Sequence, residues 1–404
     1  MSIKYYYGSE VYGQIYDWNK IFKKYKSLNI PGTAWTVPRE ALNSKYSVIL
    51  SGRSIGKTTN VILLGLCQRA IYCTQIIYVR ATELEFTPTE AKNLTAVISS
   101  YDDGRYVKQL TNGQYNCIIY KARAFYYALK DEDGTIIDKE SEPCIRVLTV
   151  DRAYEYKSTL NIPNGDFLIF DEFVGKRYAP DEFVYFCDLI KTVFRDRLSP
   201  VIFMTANTIS TTSPYYSELE IKKYLRAMKS GEHMAVETEE GTKIYIELAK
   251  LPERAQEKRA FFNTAFLGFK NDKLGAITGG QLWALPKVPH IYRREDIPTY
   301  HARNIYINAN GDLLRMEILT DEKSGLHAEV MPGSDPGEDA IILTCEIPME
   351  KREVYLLGGR RHKLRRLILD LIAEGKVFFA TNEEGAIFKQ FVKQALELEK
   401  MPLK

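Results

Sequence analysis

Short apolar runs alternate with amphipathic segments along the first 250 residues. The runs are too short for helices and are rich in aliphatic and aromatic residues, so they predict buried strands. These strands are predicted at residues 46–50, 75–80, 145–150, 166–170 and 200–205, with a hairpin over 116–122 and 124–129. Helical periodicity marks residues 58–70 and 183–194. Buried strands that alternate with helices favour an α/β fold with a largely parallel sheet covered on both faces.

The pattern changes after about residue 250. A charged stretch at 252–265 predicts a helix. Two segments in which apolar and polar residues alternate then flank Asn310-Gly311-Asp312, which is a strong hairpin signal. Two helices, predicted over 361–373 and 384–399 with a strand at 376–380 between them, close the chain. We therefore predict three parts, namely an α/β domain over 1–250, a helical linker over 251–285 and a smaller C-terminal α/β domain over 286–404.

The composition excludes several classes of protein. Of 404 residues, 45% are hydrophobic and 26% are charged, which is typical of globular domains. The six cysteines form no C-x-x-C pair, so neither a disulfide framework nor a zinc site is predicted. The longest apolar run, 61–67, is too short to cross a bilayer, and the N-terminus has no signal-peptide core. We expect an intracellular protein without a membrane partner. The net charge is only +3, so any nucleic-acid surface must be local.

A tight loop of small residues joins the strand at 46–50 to the next helix. Its backbone N–H groups, together with the helix N-terminus, would surround phosphates, Lys57 would reach the β- and γ-phosphates, and the Thr58 hydroxyl would hold Mg²⁺. The predicted nucleotide-binding residues are Ser51, Gly52, Arg53, Ser54, Ile55, Gly56, Lys57, Thr58 and Thr59. Ser51 stands where the usual G-x-x-x-x-G-K-[ST] pattern has its first glycine. The strand–loop–helix order predicts a P-loop NTPase core with ATP and Mg²⁺ as cofactors.

Two further strands end in residues that suit this chemistry. The strand at 166–170 leads into Asp171 and Glu172, at the edge of the sheet where ligands collect. We assign Asp171 to the Mg²⁺ shell and Glu172 to orienting or deprotonating the attacking water. The strand at 200–205 ends near Asn207, our candidate sensor of the γ-phosphate, with Thr205 behind it. An ordinary helix N-cap remains an alternative role for these two.

With these motifs, the sequence resembles the genome-packaging ATPases of small podophages, whose motor includes a ring of structural RNA. The resemblance covers residues 46 to 216. It rests on Gly52-Arg53-Ser54-Ile55-Gly56-Lys57, Ile77-Tyr78-Val79-Arg80, Phe170-Asp171-Glu172-Phe173, Thr192-Val193-Phe194-Arg195-Asp196-Arg197, Thr205-Ala206-Asn207 and Ser213-Pro214-Tyr215-Tyr216. An arginine inside the loop, here Arg53, is also usual in the wider group of packaging motors and terminases.

The resemblance implies a motor that translocates double-stranded DNA into a procapsid. Such a motor is a homomeric ring of five subunits on a capsid portal, with packaging RNA as a further partner. It would work in the host cytoplasm, docked transiently on the procapsid, and would be absent from the mature virion. The ATP sites would lie at subunit boundaries.

Two basic residues are implied to reach the neighbouring subunit's site. Arg195 would be the arginine finger, with Arg197 as the fallback, and Lys157 matches a further basic position of the family. Without the resemblance, Arg195 reads as part of a solvated helix face. Asn207 falls on the position that couples hydrolysis to movement. The family's lysine soon after the Val-Arg strand end is missing here, because Ala81-Thr82-Glu83 follows Arg80.

The resemblance also implies a ribonuclease-H-like last domain that has lost its nuclease and binds nucleic acid. Two-metal nucleases need clustered carboxylates. The hairpin offers only Glu317 in a strand and Asp312 in the turn, while Asp335, Glu338 and Asp339 lie among prolines and glycines and predict a loop. We predict no nuclease activity.

A basic patch in the last domain is the predicted nucleic-acid contact. Residues 351–370 contain seven lysines and arginines but only two acids. The predicted nucleic-acid contacts are Arg360, Arg361, Lys363, Arg365 and Arg366. A solvated helix face is the alternative for this patch. For the whole chain, the alternatives are a helicase, a terminase-like motor that also cuts DNA, and a scaffold that binds ATP without hydrolysing it.

Overall fold

The computed structural model describes residues 16–28, 30, 33–52, 55–83, 87–100, 102–160, 162, 164–175, 178, 181–195, 200–207, 213–250, 288–291, 299–323, 325–345, 348, 350–355 and 362–398. The helix predicted over 252–265 lies outside the described residues. The chain divides into two compact units. The first comprises Met1–Val174, Val184–Thr208 and Lys223–Leu282, and the second comprises Gly175–Phe183, Ile209–Lys222 and Trp283–Lys404.

The first unit is built on one mixed sheet. Its described strands are β1 Tyr46–Ser51, β2 Ile76–Arg80, β3 Cys117–Lys121, β4 Ala124–Lys130, β5 Ile136–Lys139, β6 Ile145–Thr149, β7 Phe167–Asp171, β8 Val201–Asn207, β9 His233–Glu237 and β10 Lys243–Ala249. The order is β3-β4-β6-β2-β7-β8-β1-β10-β9, and β5 pairs with β4. Six neighbouring strands, in the order β6, β2, β7, β8, β1 and β10, are mutually parallel. Strands β3, β4, β5 and β9 are antiparallel to their neighbours and lie at the edges.

The central strands are apolar because both faces of the sheet are covered. Every residue of β2 and β7 is buried. The described helices of this part of the chain are α1 Trp18–Ser27, α2 Lys57–Tyr72, α3 Pro88–Ser100, α4 Arg105–Leu110, α5 Ala153–Thr159, α6 Glu182–Phe194, α7 Pro214–Glu218 and α8 Lys222–Ala227. Helix α2 lies close on the sheet, because a Cβ at Gly65 would come within 2.7 Å of Ile76 Cδ1.

The prediction of a parallel α/β core is confirmed. The sequence analysis did not predict β10, the strand that extends the parallel sheet beyond β1. Strand β10 lies beside β1 and parallel to it, and β9 turns back as an antiparallel edge. Strand β9 has only five residues, which alternate between exposed and half-buried, so it has no continuous buried run. Helices α3 and α4 were also missed, because α3 carries many polar residues and α4 has only six residues.

The second unit contains a six-stranded sheet among its described residues. The strands are β11 Thr299–Ala309, β12 Asp312–Asp321, β13 Gly325–Pro332, β14 Ile342–Thr344, β15 Glu353–Tyr355 and β16 Val377–Phe379, in the order β15-β14-β11-β12-β13-β16. Among its described residues, this unit also contains helices α9 His362–Ala373 and α10 Asn382–Leu398, and α7 belongs to it as well. Strands β11 to β13 are antiparallel, and β14 and β15 add in parallel beside β11.

The predicted hairpin around residue 311 is present, with one correction. Asn310 and Gly311 have φ values of 56° and 82°, which is the left-handed pair that a tight two-residue turn requires. Asp312 was predicted in the turn, but it begins β12 and forms an ion pair with Lys222. The segment at 333–341 contains no helix or strand, as predicted for Asp335, Glu338 and Asp339. None of the helices described here is long and apolar enough to cross a membrane.

Candidate nucleotide site

A cavity of about 440 Å³ opens at the carboxyl ends of β1, β7 and β8. It is lined by Ile55, Gly56, Lys57, Thr58, Thr59, Asp171, Glu172, Ala206 and Asn207. These residues are distant in sequence, and they meet because parallel neighbouring strands end at the same edge of the sheet. The cavity therefore brings together eight of the fourteen residues that the sequence analysis selected for the nucleotide site.

The loop after β1 presents a buried cation to this cavity. Lys57 begins helix α2, and its Nζ donates to Ser51 Oγ at 2.5 Å and to the Gly52 carbonyl at 3.4 Å. Ser51, which replaces the expected glycine, thus provides an acceptor for the lysine. Arg53 and Ser54 lie outside the described residues.

Gly56 is required by the backbone of the loop. Its φ is +88°, and a Cβ there would lie 2.7 Å from Thr33 Cγ2. We expect Gly56→Ala to lower the free energy of unfolding by about 2–4 kcal/mol, because left-handed strain and a clash add together. Chemical denaturation measures this loss.

Gly113→Ala is the matched control for that measurement. Gly113 has a similar φ of +82°, but nothing lies within 4 Å of the Cβ that would be added. It should cost only the strain, about 1–2 kcal/mol. Equal losses in the two variants would show that the contact with Thr33 is unimportant.

Asp171 is the most heavily bonded acid of the cavity. Its Oδ1 accepts from Thr58 Oγ1 at 3.0 Å and from Thr205 Oγ1 at 2.5 Å, and its Oδ2 accepts from Tyr78 OH at 2.7 Å. Burial, reinforced by the Asp171 charge, raises the pKa of Tyr78 well above its usual range. The tyrosine therefore stays a donor, and Asp171 is held in one orientation.

Arg80 links Asp171, the last residue of β7, with Glu172, which follows it. Its guanidinium lies 3.5 Å from Asp171 Oδ2 and 2.9 Å from Glu172 Oε2. Glu172 has a left-handed φ of 55° and is half exposed, so its carboxylate reaches the open cavity. Sequence reasoning placed Tyr78 and Arg80 in a family motif without giving them a role. A charged residue at the end of a fully apolar strand was the signal that could have identified Arg80.

The residues around Asp171 fit a magnesium ion. Mg²⁺ prefers hard oxygen ligands and keeps several waters, so a P-loop supplies few ligands of its own. Thr58 and Asp171 provide a hydroxyl and a carboxylate within hydrogen-bonding distance of each other on the cavity wall. No group of three or more His, Cys, Asp or Glu that could cage a metal occurs among the described residues.

Asn207 ends β8 directly opposite Ser51 in the β1–β8 register, and it lines the cavity. Thr205, two residues earlier, is fully buried and donates to Asp171. The strand thus connects the acid of β7 with the amide at the cavity edge. The described helix that follows, α7, has Ser213 at its N-cap, so neither residue caps that helix.

Lys157 and Arg195 do not line this chain's own cavity. Lys157 lies on α5 and pairs with Asp188 of α6 at 2.9 Å. Arg195 follows the end of α6 with a φ of 45°, is exposed, and donates to the Leu160 carbonyl at 3.2 Å. Arg195 is thus the first residue after α6. It does not belong to the helix face to which the alternative interpretation assigned it. Arg197 lies outside the described residues.

The basic patch of the second unit is only partly described. Lys363, Arg365 and Arg366 lie in the first turns of α9, while Arg360 and Arg361 lie outside the described residues. Lys363 and Arg366 are exposed, and Arg366 is 3.7 Å from Asp370 one turn later. Of the acids considered for a nuclease, Glu317 is ion-paired with Arg315 at 3.1 Å.

Comparison with solved structures shows similarity to phage packaging motors over almost the whole chain. The Phi-28 gp11 DNA packaging motor matches with a TM-score of 0.54 and 18% identity, over 92% of this chain and 99% of that one. This chain has a phage packaging-motor fold. The bacteriophage Phi-29 viral genome packaging motor assembly matches with a TM-score of 0.51 and 17% identity, over 90% and 99%. No protein-family model and no curated protein sequence matches the chain.

The packaging-motor fold confirms the predicted fold class. The chain has a P-loop core with a largely parallel sheet and a smaller C-terminal α/β part. The resemblance read from short motifs in residues 46–216 therefore extends, at the level of the fold, to nearly the full length.

Proposed function

We propose that this protein is an ATP-hydrolysing motor that translocates double-stranded DNA into a viral procapsid. One arrangement of side chains carries the enzymatic part, namely Lys57, Thr58, Asp171 and Glu172 on the wall of a single cavity. A buried lysine and loop N–H groups bind phosphates, and two acids of different environment divide the metal and water roles. The packaging-motor fold supports the choice of DNA as the polymer.

Each residue has a distinct part in hydrolysis. Lys57 neutralises the β- and γ-phosphates of ATP, and Thr58 and Asp171 would hold Mg²⁺, which supplies charge stabilisation to the transferring phosphoryl group when bound. Glu172, the more exposed acid, orients the attacking water and takes its proton. Asn207 contacts the γ-phosphate and couples its loss to the rest of β8.

The motor acts as a homomeric ring of five subunits on the capsid portal, with packaging RNA as a further partner. Arg195 acts in trans as the arginine finger, and Lys157 reaches the same neighbouring site. Neither residue is among the lining of this chain's own cavity, as action on a neighbour's nucleotide requires. The protein works in the host cytoplasm while docked on the procapsid.

DNA-stimulated ATP hydrolysis, measured against protein concentration, tests this function. The specific activity should rise cooperatively with concentration, because each active site needs a residue from its neighbour. A specific activity that does not depend on concentration or on DNA would reject the shared site. Nucleotide binding without turnover under all conditions would favour the scaffold.

The patch at the start of α9 binds the DNA backbone in this proposal. We expect charge reversal of Arg360, Arg361 and Lys363 to glutamate to weaken DNA binding. It should reduce the slope of log affinity against log salt by about 3, since each lost phosphate contact removes about 0.9. Fluorescence anisotropy with duplex DNA at several salt concentrations measures the slope. An unchanged slope would assign these residues to an ordinary solvated face.

A terminase-like motor that also cuts DNA is the alternative among enzymes. Glu317 faces Glu329 across the β12–β13 pair, but it is ion-paired to Arg315. We therefore propose that the second unit binds nucleic acid without cutting it. Mn²⁺-dependent cleavage that Glu317→Ala abolished would overturn this.

A further inference from the structure

Residues 33–37, here called the clasp, lie against the phosphate loop. The N–H groups of Ala34 and Trp35 both donate to the Ile55 carbonyl, at 3.1 and 3.0 Å. Two donors on one acceptor fix the direction of that carbonyl. The Thr33 side chain also closes over Gly56, leaving no room for a Cβ there.

The fixed carbonyl determines where the loop points an N–H group. A trans peptide is planar, so its C=O and N–H point in opposite directions. With the Ile55 carbonyl turned to the clasp, the Gly56 N–H is turned away from it, and Gly56 lines the cavity. Backbone N–H groups of this kind bind phosphate in P-loops. The clasp thereby presets one phosphate donor.

The clasp is itself held by two polar side chains. The Trp35 indole Nε1 donates to Glu247 Oε1 of β10 at 2.8 Å, and the Trp35 carbonyl accepts from Asn60 Nδ2 of α2 at 2.9 Å. Asn60 Nδ2 also donates to the Gly56 carbonyl at 3.0 Å. Trp35 is only 7% exposed, so its indole N–H has no ready access to water as a substitute partner.

Both of these holding residues are themselves anchored. Tyr25 OH donates to Asn60 Oδ1 at 2.8 Å, and Tyr245 OH donates to Glu247 Oε2 at 3.2 Å. Burial raises the pKa of Glu247, while the hydrogen bonds from Trp35 and Tyr245 oppose that rise. Since burial favours the neutral carboxyl, we expect a neutral amide to replace it well.

We infer that Glu247, acting through Trp35, is a positioning residue for ATP binding that sets the phosphate loop in its anion-binding shape. This rests on the proposed function, because it concerns the affinity of the same site for nucleotide. Glu247 touches neither the nucleotide nor the reacting atoms in this role. It therefore governs how tightly ATP binds and leaves the chemical step alone.

The test compares Glu247→Leu with Glu247→Gln in the full-length protein. Leucine fills similar space without an acceptor, so the apparent Kd for ATP, titrated with a fluorescent analogue, should rise about tenfold. The turnover number at saturating ATP should stay within about twofold of that of the starting protein. Glutamine keeps the acceptor oxygen and should restore the Kd to within about twofold of the starting protein. Glu237→Leu on neighbouring β9, an exposed position, is the control for hydrophobic substitution.

A second pair of variants shows whether the effect runs through the indole. Trp35→Phe keeps an aromatic ring but removes the indole N–H together with part of the buried ring volume. It repeats the loss of the donor even if Glu247→Leu folds poorly. The double variant Trp35→Phe with Glu247→Leu should bind ATP no more weakly than Glu247→Leu alone, because donor and acceptor are lost together.

Three results would overturn the inference, and one would instead reject the proposed function. The inference fails if Glu247→Leu binds ATP as the starting protein does, if it lowers turnover at an unchanged Kd, or if Glu247→Gln is equally impaired. If the unsubstituted protein binds no ATP, the proposed function itself fails.

Discussion

Glu172→Gln is expected to stop ATP hydrolysis while leaving ATP bound. The amide cannot accept the proton of the attacking water, and losses of about 10²–10⁴ in rate are typical when a general base is removed. Affinity should change little, because the phosphate contacts lie on the loop and on Lys57. The turnover number and the Kd for ATP, measured on the same preparation, check both parts.

The position of Glu172 sharpens this prediction. Its carboxylate pairs with Arg80 at 2.9 Å, and glutamine can keep an oxygen for that contact. A loss of rate would therefore reflect missing base chemistry, with Arg80 still supplied with an acceptor. Glu132→Gln, at an exposed hairpin turn of the same unit, is the matched control and should hydrolyse ATP normally. Hydrolysis at the ordinary rate in Glu172→Gln would move the water-activating role to another residue.

Lys57→Ala should produce the opposite signature, a loss of binding itself. A buried ammonium contributes charge-assisted hydrogen bonds to phosphate of about 1.5–3 kcal/mol each, so the Kd for ATP should rise about 100-fold. Hydrolysis should fall in parallel, because little ATP is bound at ordinary concentrations. Titration with a fluorescent ATP analogue gives the affinity directly.

Lys45→Ala is the control for Lys57→Ala. Lys45 is exposed and precedes β1, whereas Lys57 follows it and is only 6% exposed. Only the variant of Lys57 should bind ATP weakly. Unchanged affinity in Lys57→Ala would mean that the cavity does not receive the phosphates of ATP.

The chain pattern alone predicted the central fold and the composition of the cavity. Buried strands such as β7 are continuous apolar runs, and a P-loop must follow a strand and begin a helix, so local sequence determines both. Lys57, Asp171 and Asn207 could be selected together because parallel strands place their carboxyl ends at one edge. Strand β9 escaped prediction, because it is only five residues long and none of its residues is fully buried.

Only the tertiary structure decided how the cavity is held. Arg80 and Tyr78 belong to β2, and nothing along the chain shows that they meet the acids at the end of neighbouring β7. The clasp at Trp35 depends on Glu247, 212 residues later. Hydrogen bonds between such distant residues form only where packing brings them into contact, so no local period or spacing reveals them. The sequence therefore determined which groups can act on a phosphate, while the packing determined which side chains hold them in place.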